Sequence, residues 1–164
     1  MTLLSRKADY ALLILSYLYH NATGGTARAI AAQFELSRPF VANILKELCS
    51  KGFVISHRGV KGGYSLARDA AQISLADLLE AIEDGFQLTV CSDNHTPGDA
   101  CTHARACTVK GPIAEVHQRL MGVLRGVTLA ELFDPKAAPA AGRSLPVLPT
   151  IQSCCSNMVE SVKA

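Results

Sequence analysis

The sequence lacks a strong excess of charge of either sign. Sixteen Lys and Arg against fourteen Asp and Glu leave a formal net charge of +2 over 164 residues. That total does not mark a polyanion-binding protein, so any case for nucleic acid rests on where the basic side chains lie. A long apolar run is also missing. Ala11 to Tyr19 is apolar and follows Arg6 and Lys7 in the manner of a signal peptide. However, Asp9 interrupts the approach, no small-residue cleavage site follows before Gly24, and the run is too short to span a bilayer. The expectation is a cytoplasmic protein with no membrane partner. There thiols stay reduced, and the six cysteines read as metal ligands or redox sensors before they read as a disulfide set. The chain has no GxxxxGK[ST] phosphate loop and no nucleophile and base in a recognisable arrangement, which argues against an enzyme.

What is present is an apolar half, enough for one compact core with an appended element. Ala8, Ala11, Leu12, Leu15, Leu18 and Tyr19 recur at helical spacing behind Ser5 as a cap. After the turn signal "NATGG", Thr26 can cap a short alanine-rich helix. A break at "ELS" leads to "SRPFVANILKELCSKG", with Ser37 as cap, Pro39 in the first turn and Gly52 as the stop. Two short helices joined by a tight turn, the second exposing Arg38, Asn43 and Lys46 between Val41, Ile44, Leu45 and Leu48, read as a helix-turn-helix. Two strand-like pieces, Phe53 to His57 and Gly63 to Ala67, then flank "RGVKGG", whose Arg58 and Lys61 place positive charge at a glycine-rich tip. A helix-turn-helix followed by a basic hairpin is a winged helix, suited to the major groove through its helix and to a phosphate or the minor groove through its wing.

The fold class expected is therefore mainly α: a winged helix-turn-helix over 1–84, a cysteine loop over 85–110, a long dimerisation helix with a short docking helix over 111–134, and a mobile Pro/Ala-rich tail over 135–164. Ser74 caps a helix whose face is Leu75, Leu78, Leu79 and Ile82. Ile113, Val116, Leu120, Val123 and Leu124 form a second stripe with no evident partner inside so small a domain. That stripe is expected to meet its counterpart in a second copy, presenting two recognition helices to a palindromic site. Thr128 caps the last short helix.

The loop "CSDNHTPGDACTHARAC" gathers Cys91, Cys101 and Cys107 with His95 and His103 among turn formers. Three thiolates in one loop suit an iron-sulfur cluster, and three cysteines with a histidine equally suit zinc. Neither gap is a short CxxC knuckle, so spacing alone leaves the two level. Cys49 reads as a small buried residue, Cys154 and Cys155 as unassigned thiols, and His20, His57 and His117 carry no signal.

From Met1 to Asp134 the chain resembles the Rrf2 family of bacterial winged-helix transcription regulators. The likeness is carried by "SRKADYALLIL", by "KGFVISHRGVKGGYSLARDAAQISLADLLEAIE", by the three cysteines and by "GVTLAELF", in that order. It implies a homodimer that binds double-stranded promoter DNA and holds one iron-sulfur cluster per subunit, 2Fe-2S or 4Fe-4S, on Cys91, Cys101 and Cys107. One branch of the family takes its fourth ligand from a histidine three residues after the last cysteine, where this chain has Lys110. Another takes it from an aspartate in the first helix of the other subunit, the position of Asp9. Asp9 is thus the first candidate, with His103 and His95 as competitors. The residues expected at the DNA are Ser37, Arg38, Pro39, Phe40, Asn43, Lys46, Arg58 and Lys61. Two alternatives stay open: a winged-helix regulator with a zinc or thiol-disulfide switch, and a cluster-free module that docks a protein partner.

Overall fold

The computed structural model describes residues 4–59, 62–83, 86–88 and 107–134. Six helices and one hairpin follow in order: α1 Arg6–His20, α2 Ala27–Gln33, α3 Arg38–Ser50, β1 Val54–His57, β2 Gly63–Leu66, α4 Leu75–Ile82, α5 Lys110–Gly126 and α6 Leu129–Phe133, with a single 3-10 turn at Ala70–Gln72.

Each start has a local cause. Ser5 accepts a hydrogen bond from the Ala8 N–H, Thr26 from Ala29, Ser74 from Asp77 and Thr128 from Glu131, satisfying N–H groups that have no partner within the first turn. At α4 and α6 the acid three residues on returns the bond, completing capping boxes. Ser37 departs from expectation: it occupies the N-cap position of α3 with extended backbone, yet its hydroxyl makes no capping bond. Pro39 in that first turn has no N–H to satisfy, so the helix opens without one.

The helix-turn-helix hinges at Glu35, a non-glycine residue held at φ 54. The Leu36 N–H bonds back to the Ala31 carbonyl at 2.9 Å, closing the turn between α2 and α3. The wing is an antiparallel pair in the register Val54↔Leu66 to His57↔Gly63. Gly25 adds a third, one-residue rung, exchanging bonds with Tyr64 at 2.9 and 2.8 Å. That rung explains Gly24, which sits at φ 80 and where a Cβ would lie 2.5 Å from the Tyr64 carbonyl oxygen.

One core joins these elements. Ala8, Ala11, Ile14, Leu15 and Leu18 of α1 meet Ile30 of α2, Val41, Ile44, Leu45 and Leu48 of α3, and Leu78, Leu79 and Ile82 of α4, all buried. On α4 the buried set includes Ala76, while Leu75, expected on that face, is only half-buried. A second rung, Ser74↔Thr128, ties the far end of the chain to the middle: Leu75 donates to Val127 at 2.8 Å and Leu129 to Ile73 at 2.9 Å. Tyr19 and Phe133, with ring centroids 5.7 Å apart, dock α6 on α1.

The α5 stripe is corrected by the fold. The helix begins at Lys110, and its apolar residues divide between two directions. Met121 is buried and Leu120 and Leu124 pack against the core, so part of the stripe finds a partner within the chain. Val116 is 51% exposed and points away. An Arg125–Glu80 ion pair at 2.9 Å fastens α5 to α4.

Candidate nucleic-acid interface

α3 is amphipathic in the sense required of a recognition helix. Val41, Ile44, Leu45 and Leu48 face inward, and Arg38, Pro39, Phe40, Asn43 and Lys46 are exposed. Phe40 is a special case: its ring meets Tyr10 of α1 edge-on at 5.0 Å, so one side of it is spent on packing and 37% remains open. A Lys7–Glu47 ion pair at 2.9 Å fixes α3 to α1 from the next turns.

Across from the start of α3 stands the wing. Arg58 is exposed just beyond β1, and the turn back is close enough that a Cβ at Gly62 would lie 2.7 Å from the His57 carbonyl oxygen. Between helices and wing lies a cleft of about 350 Å³ lined by Thr26, Ala27 and Arg28 of the α2 start, Arg38 of α3, and Ser56, His57, Arg58, Gly62, Gly63 and Tyr64 of the wing. His57 is held at its wall by a 2.8 Å hydrogen bond between Nε2 and the Ser65 hydroxyl. The fold thus brings Arg38 and Arg58, expected separately on the helix and the wing, to one cleft, and adds Arg28, for which the sequence carried no expectation. Its signal was available but faint: a lone arginine in the first turn of an alanine-rich helix that has no acid there. Lys61 lies outside the described residues.

The cysteine site is described only at its edges. Cys107 is half-buried with a free thiol, shortly before α5 begins. Asp9 is exposed in the first turn of α1, and its carboxylate has no hydrogen-bond or ionic partner among the described residues. Cys91, His95, Cys101, His103, Cys154 and Cys155 lie outside the described residues. Cys49, also free, is half-buried on α3, and burial pushes its thiol pKa up. Among the described residues no cluster of His, Cys, Asp and Glu could hold a metal ion. His117, unremarkable in sequence, stacks on Phe86 with centroids 6.5 Å apart, and its Nδ1 is buried without a partner. No helix among the described residues is long and apolar enough to cross a membrane.

Comparison with known proteins agrees with this arrangement. The family model for Rrf2, described as an iron-dependent transcriptional regulator, matches residues 4–135. Over 137 residues the chain is 28% identical to the HTH-type transcriptional regulator NsrR of Geobacillus kaustophilus, covering 82% of this chain and 92% of that one. It is likewise 28% identical over 133 residues to the HTH-type transcriptional regulator IscR of Serratia proteamaculans, covering 80% and 79%. The fold matches that of CymR, the global cysteine regulator of B. subtilis, with a TM-score of 0.61 at 24% identity, covering 81% of this chain and 97% of that chain.

Proposed function

The chain belongs to the Rrf2 family of transcriptional regulators, and from that premise we propose that it binds promoter DNA as a homodimer and couples that binding to an iron-sulfur cluster. The observation that carries the DNA half is the meeting of Arg38 on the exposed face of α3 with Arg58 of the wing across one cleft. Asn43 and Lys46 lie along the face that would enter the major groove, where Asn can pair with adenine and Arg or Lys with guanine. Arg58 and Lys61 would contact phosphate or the minor groove, and Ser37, Pro39 and Phe40 would set the approach of the helix end. The outward side of α5, with Val116 exposed and Ile113 and Val123 half-buried, supplies an apolar surface for a second copy.

For the sensing half, Cys91, Cys101 and Cys107 would hold the cluster, with Asp9 of the partner subunit as fourth ligand ahead of His103 and His95. The donor chemistry fits where it is described: the Cys107 thiol is free and the Asp9 carboxylate is exposed and unpartnered. Thiolates suit iron and sulfide, and one oxygen ligand makes for a more labile site. When bound, the cluster supplies a centre sensitive to oxygen, nitric oxide or iron supply. The chain's own residues provide the link to DNA. Glu83 at the end of α4 accepts a 3.0 Å hydrogen bond from the Ser5 N–H, pinning the entry to the cysteine segment against the start of α1. Lys7, two residues on, is paired with Glu47 of α3. A change in what Cys107 and Asp9 hold is thereby transmitted to the ends of α5, α1 and α3.

The test is purification without oxygen followed by visible absorption and iron and acid-labile sulfide assays, beside Cys101→Ala and Cys107→Ala variants. Stoichiometric iron and sulfide with a visible band, lost in both variants, supports the reading. A colourless protein holding zinc, or thiols that only form disulfides, replaces it with the metal or thiol switch.

A further inference from the structure

The cleft between α2, α3 and the wing carries more positive charge than reading bases from α3 requires. We propose that Arg28, Arg38 and Arg58 together grip a phosphate of the DNA backbone in this cleft, with Arg28 acting as a positioning contact that reads no base. The inference rests on the DNA-binding function proposed above.

Three observations carry it. First, Arg28, Arg38 and Arg58 line one cavity of about 350 Å³, and none of the three has an ion pair among the described residues. Elsewhere Lys7, Arg119 and Arg125 are each matched to a glutamate. Three like charges left open around one space repel one another until an anion enters. Second, Arg28 and Arg38 stand in the first turns of their helices, where positive charge opposes the helix dipole. α4 and α6 place Asp77 and Glu131 there, and α1 sets Asp9 beside Arg6 and Lys7, whereas the first turn of α2 holds Arg28 with no acid to offset it. Third, the cleft separates the element suited to the major groove from the element suited to the neighbouring minor groove. What lies between two adjacent grooves of a duplex is a sugar-phosphate strand, and the planar fork of arginine matches its oxygens. On the wing side Gly62 and Gly63 add no side chain to a lining otherwise formed by Ser56, His57, Arg58 and Tyr64.

The test is fluorescence anisotropy of the full chain across a salt series, on a duplex selected by the protein and on a scrambled one. Arg28→Gln is expected to weaken both by the same factor and to lower the slope of log affinity against log salt by about one. Arg28→Lys, which keeps the charge, is expected to restore the slope. Since the Arg28 side chain is exposed and unpaired and its charge opposes the α2 dipole, the melting temperature of Arg28→Gln should equal or slightly exceed that of the parent. Wild-type affinity and slope in Arg28→Gln would overturn the proposal, as would a loss confined to the selected duplex, which would make Arg28 a base reader. Failure of the unaltered protein to bind either duplex would instead overturn the DNA-binding reading, and this inference with it.

Discussion

Leu45 and Cys49 are neighbours on α3 with opposite lessons about single residues. Leu45 is wholly buried between α1 and α3, so Leu45→Ala should destabilise the fold by about 2–5 kcal/mol in urea unfolding, the usual cost of an aliphatic cavity. A change under ~1 kcal/mol would mean that the core relaxes around it. Partial burial disfavours the charged form of Cys49 and pushes its pKa above the ordinary 9.0. Because the raised pKa favours the neutral thiol in the folded state, its contribution to stability is complete below pH 9.0 and is lost as pH climbs through the raised value. Cys49 should therefore alkylate much more slowly in the native protein than in urea, read by peptide mapping. Equal rates would mean that its half-burial on α3 does not shield the thiol.

At the scale of elements, the caps and α5 give the clearest tests. Ser74→Ala breaks a reciprocal capping box and should cost about 1 kcal/mol of stability. Ser37→Ala removes a hydroxyl that caps nothing and should stay within about 0.5 kcal/mol. A reversal of that order, measured by thermal unfolding, would show that Ser37 rather than Ser74 secures its helix. On α5, Val116→Glu places charge on the exposed side, so the protein should remain folded but sediment as a monomer. An unchanged sedimentation coefficient would contradict the proposed dimer contact at Val116. The elements themselves were legible in the sequence because their signals are local: Ser5, Thr26, Ser74 and Thr128 cap where they should, and the glycine-bounded hairpin falls within a residue of its expected ends. The α5 stripe was half legible. Periodicity shows which residues share a face, but not that Leu120, Met121 and Leu124 would join the core while Val116 stayed open.

Across the whole molecule, what the sequence could not show was juxtaposition. Arg28 stands alone among alanines, and only folding the wing back against α2 sets it beside Arg38 and Arg58. Phe40 reads as a free contact until Tyr10 is found against it. The Ser5–Glu83 and Lys7–Glu47 contacts link segments far apart in the chain, and together they tie the entry to the cysteine segment, α1 and the recognition helix into one unit. In the proposed function this unit changes its grip on DNA with the state of the cysteine site. The direct measurement is the affinity of protein purified without oxygen for a duplex it has itself selected, before and after its iron is removed by a chelator. The two affinities should differ by about tenfold or more, a coupling of roughly 1.4 kcal/mol. Equal affinities in the two forms would contradict it.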